Sequence, residues 1–523
     1  MTRIGVFGWG VVAPKAPDID AFAARLERAE SWLEPFNGYG PDSFLVGRPA
    51  FDFERYREWV SARFPPRRFA QLQEKMDFPT QYAIGAFIQA LGQNPGIEDD
   101  LASLGTAAHV YVGVGIGSIG TIHDASLALY HAQRRWDRFW SDPSRNPALA
   151  AHLDDTPDPE APADPAGVSL DERDAAESAW WHYWAAKAPG LGQYLAELAE
   201  IEGMNVEGEI EAGKMRVMKE KARRTAKLEA KWGTPTPPWS SVTSNLIWNI
   251  HNTPAAQISM LGRIKGLSFA PVGACSTFGL SLKLAMDTLR RGEAKIVVVG
   301  ATDPPPHPLS VGAFYQGRVI SADGNPSKPL HGLRGTHVAG GSVVWIVGDY
   351  DYCTAKGYRA LGLEPVSVGL SSDAHHIITP TTEGPLAAIA AALEEAHATP
   401  EQVGSWDLHA TATPGDYLEV ETMRSVMPAS VLVTARKGTF GHGMSGGGGW
   451  ELTAQYLGYE RGKLFPTPLA AEQLHPEIRT RHELFVFDRA LPAPAGFAGK
   501  LSMGIGGINA CVLSRRWDPA GGA

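Results

Sequence analysis

The sequence predicts an α/β layered fold. Short runs rich in Val and Ile alternate with stretches of helical periodicity, the pattern of sheets covered by helices. At 523 residues, 44% hydrophobic and 20% charged, the chain is long enough to bury a large core and too long for one small domain. Strands are expected at 4–7, 109–114, 295–299, 341–347, 363–370, 406–408 and 500–502 with 510–513. Helices are expected at 81–91 and 386–396, with a helix-like run from about Asp416. A further helix over about 276–291 carries Leu282, Ala285, Met286 and Leu289 on one face and stops at Gly292.

Several classes are disfavoured by composition. A net charge of −10 argues against a nucleic-acid binder. No run of about 18 apolar residues offers a membrane span, and the first residues lack the basic start and apolar stretch of a secretory signal. Three cysteines without paired spacing fit a reducing cytoplasm, where the chain is expected to reside. Cys353 and Cys511 read as structural, Cys511 within the strand at 510–513. His375-His376 and His307 lack a Cys or carboxylate to complete a ligand set, so no metal is expected. Gly113-x-Gly115-x-Gly117 lacks the spacing of a dinucleotide turn or phosphate loop.

Chemistry concentrates at three points. Gly273-Ala274-Cys275-Ser276-Thr277 puts a cysteine on a tight turn where a strand gives way to a helix. A helix N-terminus stabilises a thiolate, so a lowered thiol pKa is expected; the alternative is a buried, inert thiol. His409 ends the strand at 406–408 and opens His409-Ala410-Thr411-Ala412-Thr413-Pro414; His442 follows Arg436-Lys437-Gly438-Thr439-Phe440-Gly441 and precedes the glycine run 446–449. One cysteine and two histidines, each at the end of an element among small residues, suit acyl transfer.

On these motifs the chain resembles the β-ketoacyl-acyl carrier protein synthases, elongating condensing enzymes of the thiolase fold. The opening 4–14 and the segment Ser502-Met503-Gly504-Ile505-Gly506-Gly507-Ile508-Asn509-Ala510 resemble the family's first and last strands. The resemblance implies a five-layered fold of two similar halves, each a mixed sheet between helices, with a large mainly helical insertion. The first half, about 1–350, would carry the nucleophile and the insertion at about 120–242; the second, 351–523, would carry both catalytic histidines. It also implies a homodimer and the partners: acyl carrier protein with acyl and malonyl thioesters. No resident cofactor is implied, since phosphopantetheine arrives on the carrier protein.

By the same resemblance Cys275 holds the acyl chain, and His409 and His442 donate N–H groups to the malonyl thioester oxygen and assist decarboxylation. Lys437 supports the histidines, and Glu451, nine residues after His442, is a buried supporting carboxylate. Thr411 and Thr413 match threonines that bind the phosphopantetheine arm. Ile116 matches an acyl-pocket residue, with plain core the alternative. Met503 stands where the family usually has a gating phenylalanine, and its N–H with that of Cys275 would form the oxyanion hole. Fatty-acid biosynthesis is the expected setting. A polyketide or aryl-polyene condensing enzyme is the alternative within the fold, and a non-catalytic chain-length partner is another, against which the intact Cys275 argues.

The insertion opens with Trp136-Asp137-Arg138-Phe139-Trp140, passes through a proline-rich acidic loop at 155–162, and resumes order at Ser169, whose spacing to Glu172 is that of a capping box. A helix carrying Trp180, Trp181 and Trp184 follows. The segment 214–231 carries eight basic residues and reads either as a solvated helix face or as a docking surface for an acidic carrier protein.

Overall fold

The computed structural model describes residues 2–154, 156–206, 210–479 and 484–517. The first half runs β1 (Ile4–Val12), α1 (Phe78–Leu91), β2 (Ala108–Val114), α2 (Ile119–Trp140), α3 (Pro147–Asp154), α4 (Leu170–Ala186), α5 (Pro189–Glu202), α6 (Ile210–Trp232), α7 (Thr253–Leu261), β3 (Ser268–Phe269), α8 (Thr277–Arg290), β4 (Ile296–Asp303) and β5 (Gly341–Asp349). The second runs β6 (Glu364–Ser372), α9 (Glu383–Glu395), β7 (Val403–Asp407), α10 (Gly415–Val426), β8 (Leu432–Thr434), α11 (Met444–Glu460), β9 (Phe497–Gly504) and β10 (Ile508–Arg515).

The two sheets repeat one topology. The first has the order β1-β5-β4-β2-β3 and the second β6-β10-β9-β7-β8. In both, the first two neighbour pairs are antiparallel and the last two parallel. Helices α8 and α11 occupy equivalent places in the repeat and lie between the sheets, where Phe278, Leu282 and Met286 of α8 and Trp450 and Tyr456 of α11 share one core with Val299, Trp345 and Val512. The outer face of the first sheet is covered by α1 and α7 through Phe87, Ala90 and Ile258. The outer face of the second is covered by α9 and α10 through Ile389, Ala392, Val420 and Met423. Helix, sheet, helix pair, sheet, helix is the five-layered α/β arrangement of two similar halves.

Helix α11 carries four glycines near its start, Gly446–Gly449, each costing a helix about 1 kcal/mol relative to Ala. Close packing explains Gly448 and Gly449; at Gly446 and Gly447 a methyl would meet only ordinary contacts at 3.5 and 3.7 Å. A methyl at Gly448 would lie 2.8 Å from Ser502 Oγ, and one at Gly449 would lie 2.7 Å from the Phe278 ring. The backbone of α11 thus approaches both α8 and β9, which fixes the residues just before it.

Residues Thr121–Leu246 form a separate compact unit. Trp136, Trp140, Ala185, Ala188, Tyr194 and Leu228 make its main core, and Leu149, Trp180 and Trp184 a second cluster. The 136–140 run closes the long helix α2. Of the proline-rich loop, Asp155 lies outside the described residues, and 156–162 contain no helix or strand. The capping box at Ser169 does not form: its hydroxyl donates to Glu172 Oε2 at 3.0 Å instead of accepting from the backbone. Exposed and close to a carboxylate, the hydroxyl is drawn to the stronger acceptor.

Trp345 ties the middle layer together. Its ring packs 5.1 Å from Phe278 and 4.8 Å from Tyr456, and its Nε1 donates to Thr453 Oγ1 at 2.9 Å. Trp345→Ala is expected to lower the unfolding free energy by about 3–5 kcal/mol, read as a shifted denaturant midpoint. A loss below about 1 kcal/mol would contradict this packing.

Candidate active site

The cysteine turn is built by strain and side-chain bonds. Ala274 adopts φ +48°, a left-handed conformation unusual for a non-glycine residue, and residues Ala274–Ser276 form a single 3-10 turn before α8. Thr277 Oγ1 donates to Ala274 O at 2.7 Å and accepts from the Gly273 N–H at 2.9 Å. Ser276 Oγ donates to Ile508 O at 2.8 Å, anchoring the turn to the β9–β10 hairpin of the other half. Cys275 is 7% exposed and borders a cavity of about 340 Å³ that also contacts His409, His442, Thr411, Thr413, Met503 and Ile505.

Burial pushes the Cys275 thiol up to about 11, while the Lys437 charge and the amides of Ile505 and Cys275 itself pull the other way. The expected low-pKa thiolate is therefore corrected: with desolvation outweighing the neighbouring charge and dipoles, the resting group is a thiol. Cys353 and Cys511 are buried and their thiols are pushed up further, as inert core groups.

His409 follows β7, and the first turns of α10 shape its loop. The His409 and Ala410 N–H groups donate to Glu419 Oε1 and Oε2 at 2.6 and 2.7 Å, and the Thr411 and Ala412 N–H groups donate to Asp416 at 2.8 and 3.1 Å. Lys437 lies 3.4 Å from His409 Nδ1 and donates to the His409 carbonyl. His442 precedes α11; its N–H donates to His337 O at 2.7 Å, and its Nδ1 accepts from the Met444 N–H at 3.3 Å. An ammonium and an amide only donate, so both Nδ1 atoms are acceptors and the ring protons sit on Nε2. Burial, then the charge of Lys437, holds both imidazoles well below the usual histidine range, hence neutral. The rings are 5.4 Å apart at 81°.

Behind the histidines runs a buried chain of charges. Lys437 pairs with Glu451 Oε1 at 2.8 Å, Lys500 with Glu451 Oε2 at 2.8 Å and with Asp407 Oδ1 at 3.5 Å, and Arg436 with Asp407 Oδ2 at 3.0 Å. Burial alone would raise Glu451, but Lys437 and Lys500 outweigh it and hold the group below the usual carboxylate range. Lys500 is held above the usual lysine range: burial opposes this, and Glu451 and Asp407 prevail. These groups are each 4% exposed or less.

The cavity brings together Cys275, His409, His442, Thr411, Thr413 and Met503, with Lys437 and Glu451 behind. The threonine hydroxyls are 3.0 Å apart. Ile116 packs in the adjoining apolar cluster beside Val338 and Met444, its N–H held by Asp303 Oδ1 at 2.8 Å. Met503 is half-buried in β9, and the amide facing the sulfur besides that of Cys275 is Ile505's. The sequence reading put that donor on Met503; the strand continues to Gly504, so the chain turns toward the cysteine only at Ile505. Sequence reasoning also missed Lys500, Asp407, Glu419, Asp416 and Asp303. A lysine within the apolar strand 497–504 was the one signal available.

The resting thiol makes a testable demand. The rate of Cys275 alkylation by iodoacetamide is expected to rise about tenfold per pH unit from neutrality toward the thiol's pKa of about 11. Lys437→Met, which removes a charge that lowers this pKa, is expected to slow alkylation at fixed pH. A rate already level at pH 7 would contradict the assignment.

Two family models match in order: "Beta-ketoacyl synthase, N-terminal domain" over residues 218–347, and "Beta-ketoacyl synthase, C-terminal domain" over residues 364–469. Among curated relatives, the mitochondrial 3-oxoacyl-[acyl-carrier-protein] synthase of Arabidopsis thaliana is 28% identical over 50% of this chain and 59% of its own length. Nodulation protein E of Rhizobium meliloti (strain 1021) is 28% identical over 47% and 60%, and a 3-oxoacyl-[acyl-carrier-protein] synthase homolog of Saccharomyces cerevisiae is 30% identical over 51% and 63%. The chain thus spans about six-tenths of the length of these relatives. Among solved structures, the ishigamide ketosynthase/chain length factor superposes with TM-score 0.67 at 18% identity, covering 99% of this chain and all of that one. The AntDE:AntF complex, a type II polyketide acyl-carrier protein with its ketosynthase, gives 0.63 at 17%, covering 99% and 100%. With the two models falling in order, one on each half, and with relatives named 3-oxoacyl-[acyl-carrier-protein] synthase, this chain belongs to the β-ketoacyl synthases of the thiolase superfamily.

Proposed function

We propose that the protein is a β-ketoacyl-acyl carrier protein synthase that joins an acyl group held on Cys275 to a malonyl thioester with loss of carbon dioxide. The observation that carries this is one cavity bordered by a nucleophilic sulfur and two neutral imidazoles with Nε2–H free to donate. In the first half-reaction the sulfur attacks an acyl thioester, and the carrier's thiol leaves with the proton lost from Cys275. Neither histidine offers a free basic nitrogen, so the sulfur ionises only as the substrate arrives, with the α8 N-terminus and the amides of Ile505 and Cys275 meeting the charge. In the second, the malonyl carboxylate departs as carbon dioxide and the enolate oxygen receives the two Nε2–H donors. The enolate carbon then bonds to the acyl carbon, the C–S bond breaks, and the released thiolate takes up a proton. Neutral rings suit this role, because they stabilise a transient oxyanion without holding a permanent one.

Thr411 and Thr413 are proposed to bind the phosphopantetheine arm, Ile116 to bound the acyl pocket, and Met503 with Ile505 to border the approach to the sulfur. No resident cofactor is invoked, since the arm travels with the carrier protein. Fatty-acid synthesis is proposed as the setting; the names of the Arabidopsis and yeast relatives support condensation on an acyl carrier protein. A polyketide-type role is the alternative, suggested by the fold likeness to the AntDE:AntF complex. The intact Cys275 speaks against a non-catalytic chain-length subunit. A cytoplasmic location fits three unpaired cysteines, and no helix among the described residues is long and apolar enough to cross a membrane. A homodimer fits the open edge of β3, flanked by Leu267 and Val272, which are 55% and 52% exposed.

Intact-protein mass spectrometry with acyl-carrier protein is expected to show one acyl adduct, absent from Cys275→Ala. His409→Ala is expected to keep self-acylation and to lose malonyl decarboxylation by about 10²-fold or more. Equal loss of both would contradict the division of roles. Turnover of acyl primers from short to long separates the fatty-acid from the polyketide setting, and light scattering is expected to return twice the 56.2 kDa chain mass.

A further inference from the structure

The unit at Thr121–Leu246 carries a charge pattern that its own packing does not require. Over residues 210–232, helix α6 holds eight basic and three acidic side chains, in a chain of net charge −10. Leu228 faces the unit's core at 4% exposure, with Trp232 packed beside it. On the opposite face Arg216, Lys219, Arg223 and Lys227 stand at i, i+3, i+7 and i+11, all exposed, a row about 16 Å long.

Some of the helix's cations have local partners. Lys221 pairs with Glu202, Lys231 with Glu197, and Arg223 and Arg224 with Glu220. Among the described residues, Lys214, Arg216, Lys219 and Lys227 form no ion pair. Alongside the row, Met215 and Met218 are 57% and 55% exposed, and a groove of about 880 Å³ runs between α6 and the segment after α5, where Arg216, Lys219, Arg223 and Arg224 outnumber the single carboxylate, Glu220, beside Met204 and Met215.

We propose that this groove docks an acidic amphipathic helix of the carrier protein that delivers the thioesters, an inference that rests on the function proposed above. Charge complementarity selects an acidic partner, and the adaptable thioethers beside the cations give an apolar side chain somewhere to lie. A membrane surface is the weaker match, because the exposed apolar contribution here is methionine without aromatic or leucine side chains. The chain's overall negative charge works against a nucleic acid.

The test is steady-state turnover by the full-length enzyme, comparing wild type with R216E/K219E/R223E/K227E. Malonyl-carrier protein is one substrate and malonyl-pantetheine, which lacks the protein, the other. The variant is expected to raise KM for the carrier-bound substrate about tenfold, to flatten its dependence on salt, and to leave kcat and the pantetheine reaction unchanged. The neutral R216Q/K219Q/R223Q/K227Q variant is expected to show a smaller effect in the same direction, which guards against a folding defect in the charge reversal. An unchanged KM for the carrier substrate at low salt overturns the proposal. So does loss of binding to phosphatidylglycerol vesicles without a change in KM, which would assign the face to a membrane. If wild-type enzyme turns over neither substrate, the condensing reaction itself fails, a result distinct from a docking failure.

Discussion

The site depends on a buried lysine, Lys437, that is fully committed to its neighbours. Its ammonium meets Glu451 at 2.8 Å, donates to the His409 carbonyl and faces His409 Nδ1 at 3.4 Å. A lone ammonium at this depth would be costly, and Glu451 alone would be too. Lys500 on the far oxygen of Glu451 and Asp407 beyond it extend the chain of alternating charges to Arg436. Removing one member leaves a buried charge without its partner, the situation that destabilises a fold most. The network therefore has a structural and a chemical role: it seats α11 and β9 against β7, and its cationic charge adds to the burial that holds the histidines neutral.

The duplicated topology explains why these groups meet. Helices α8 and α11 are equivalent elements of the two repeats, and each is preceded by a site residue: Cys275 before α8, His442 before α11. Packing these helices between the sheets brings their N-terminal ends into one cavity. Ser276 bonded to Ile508 and the close approach of Gly448 to Ser502 fix the two halves against each other at the cysteine.

Much of this was legible in the sequence. The strands and the nucleophile helix fall near their expected places because β-branched runs and one-sided apolar periodicity report burial directly. Cys275, His409 and His442 were readable because each sits at the end of an element among small residues, whereas Lys437 and Glu451 were implied by the family resemblance. Partnerships that cross the two halves were not readable. Nothing local to Lys500 says that it meets Glu451, and nothing in the turn at 504–508 says that Ile505 rather than Met503 aims its amide at the sulfur. The thiol's ionisation was misjudged for the same reason: a helix N-terminus is visible in sequence, whereas the depth of burial that outweighs it is a property of the assembled layers. Within the glycine run at 446–449, Gly448 and Gly449 lie where neighbours leave no room for a side chain, a constraint that no propensity scale records.

The central claim is that burial, reinforced by the Lys437 charge, keeps both imidazoles neutral, and that their protons sit on Nε2. Nitrogen-15 NMR of histidine-labelled enzyme measures this directly. The account predicts that His409 and His442 keep the neutral Nε2–H signature as the pH is lowered through the ordinary histidine pKa of about 6.5. Because neutral rings are what the fold requires, stability should begin to fall as the pH drops below that value, where the unfolded chain takes up protons that the folded state refuses. Titration of either ring near 6.5, or a proton resting on Nδ1, would contradict it.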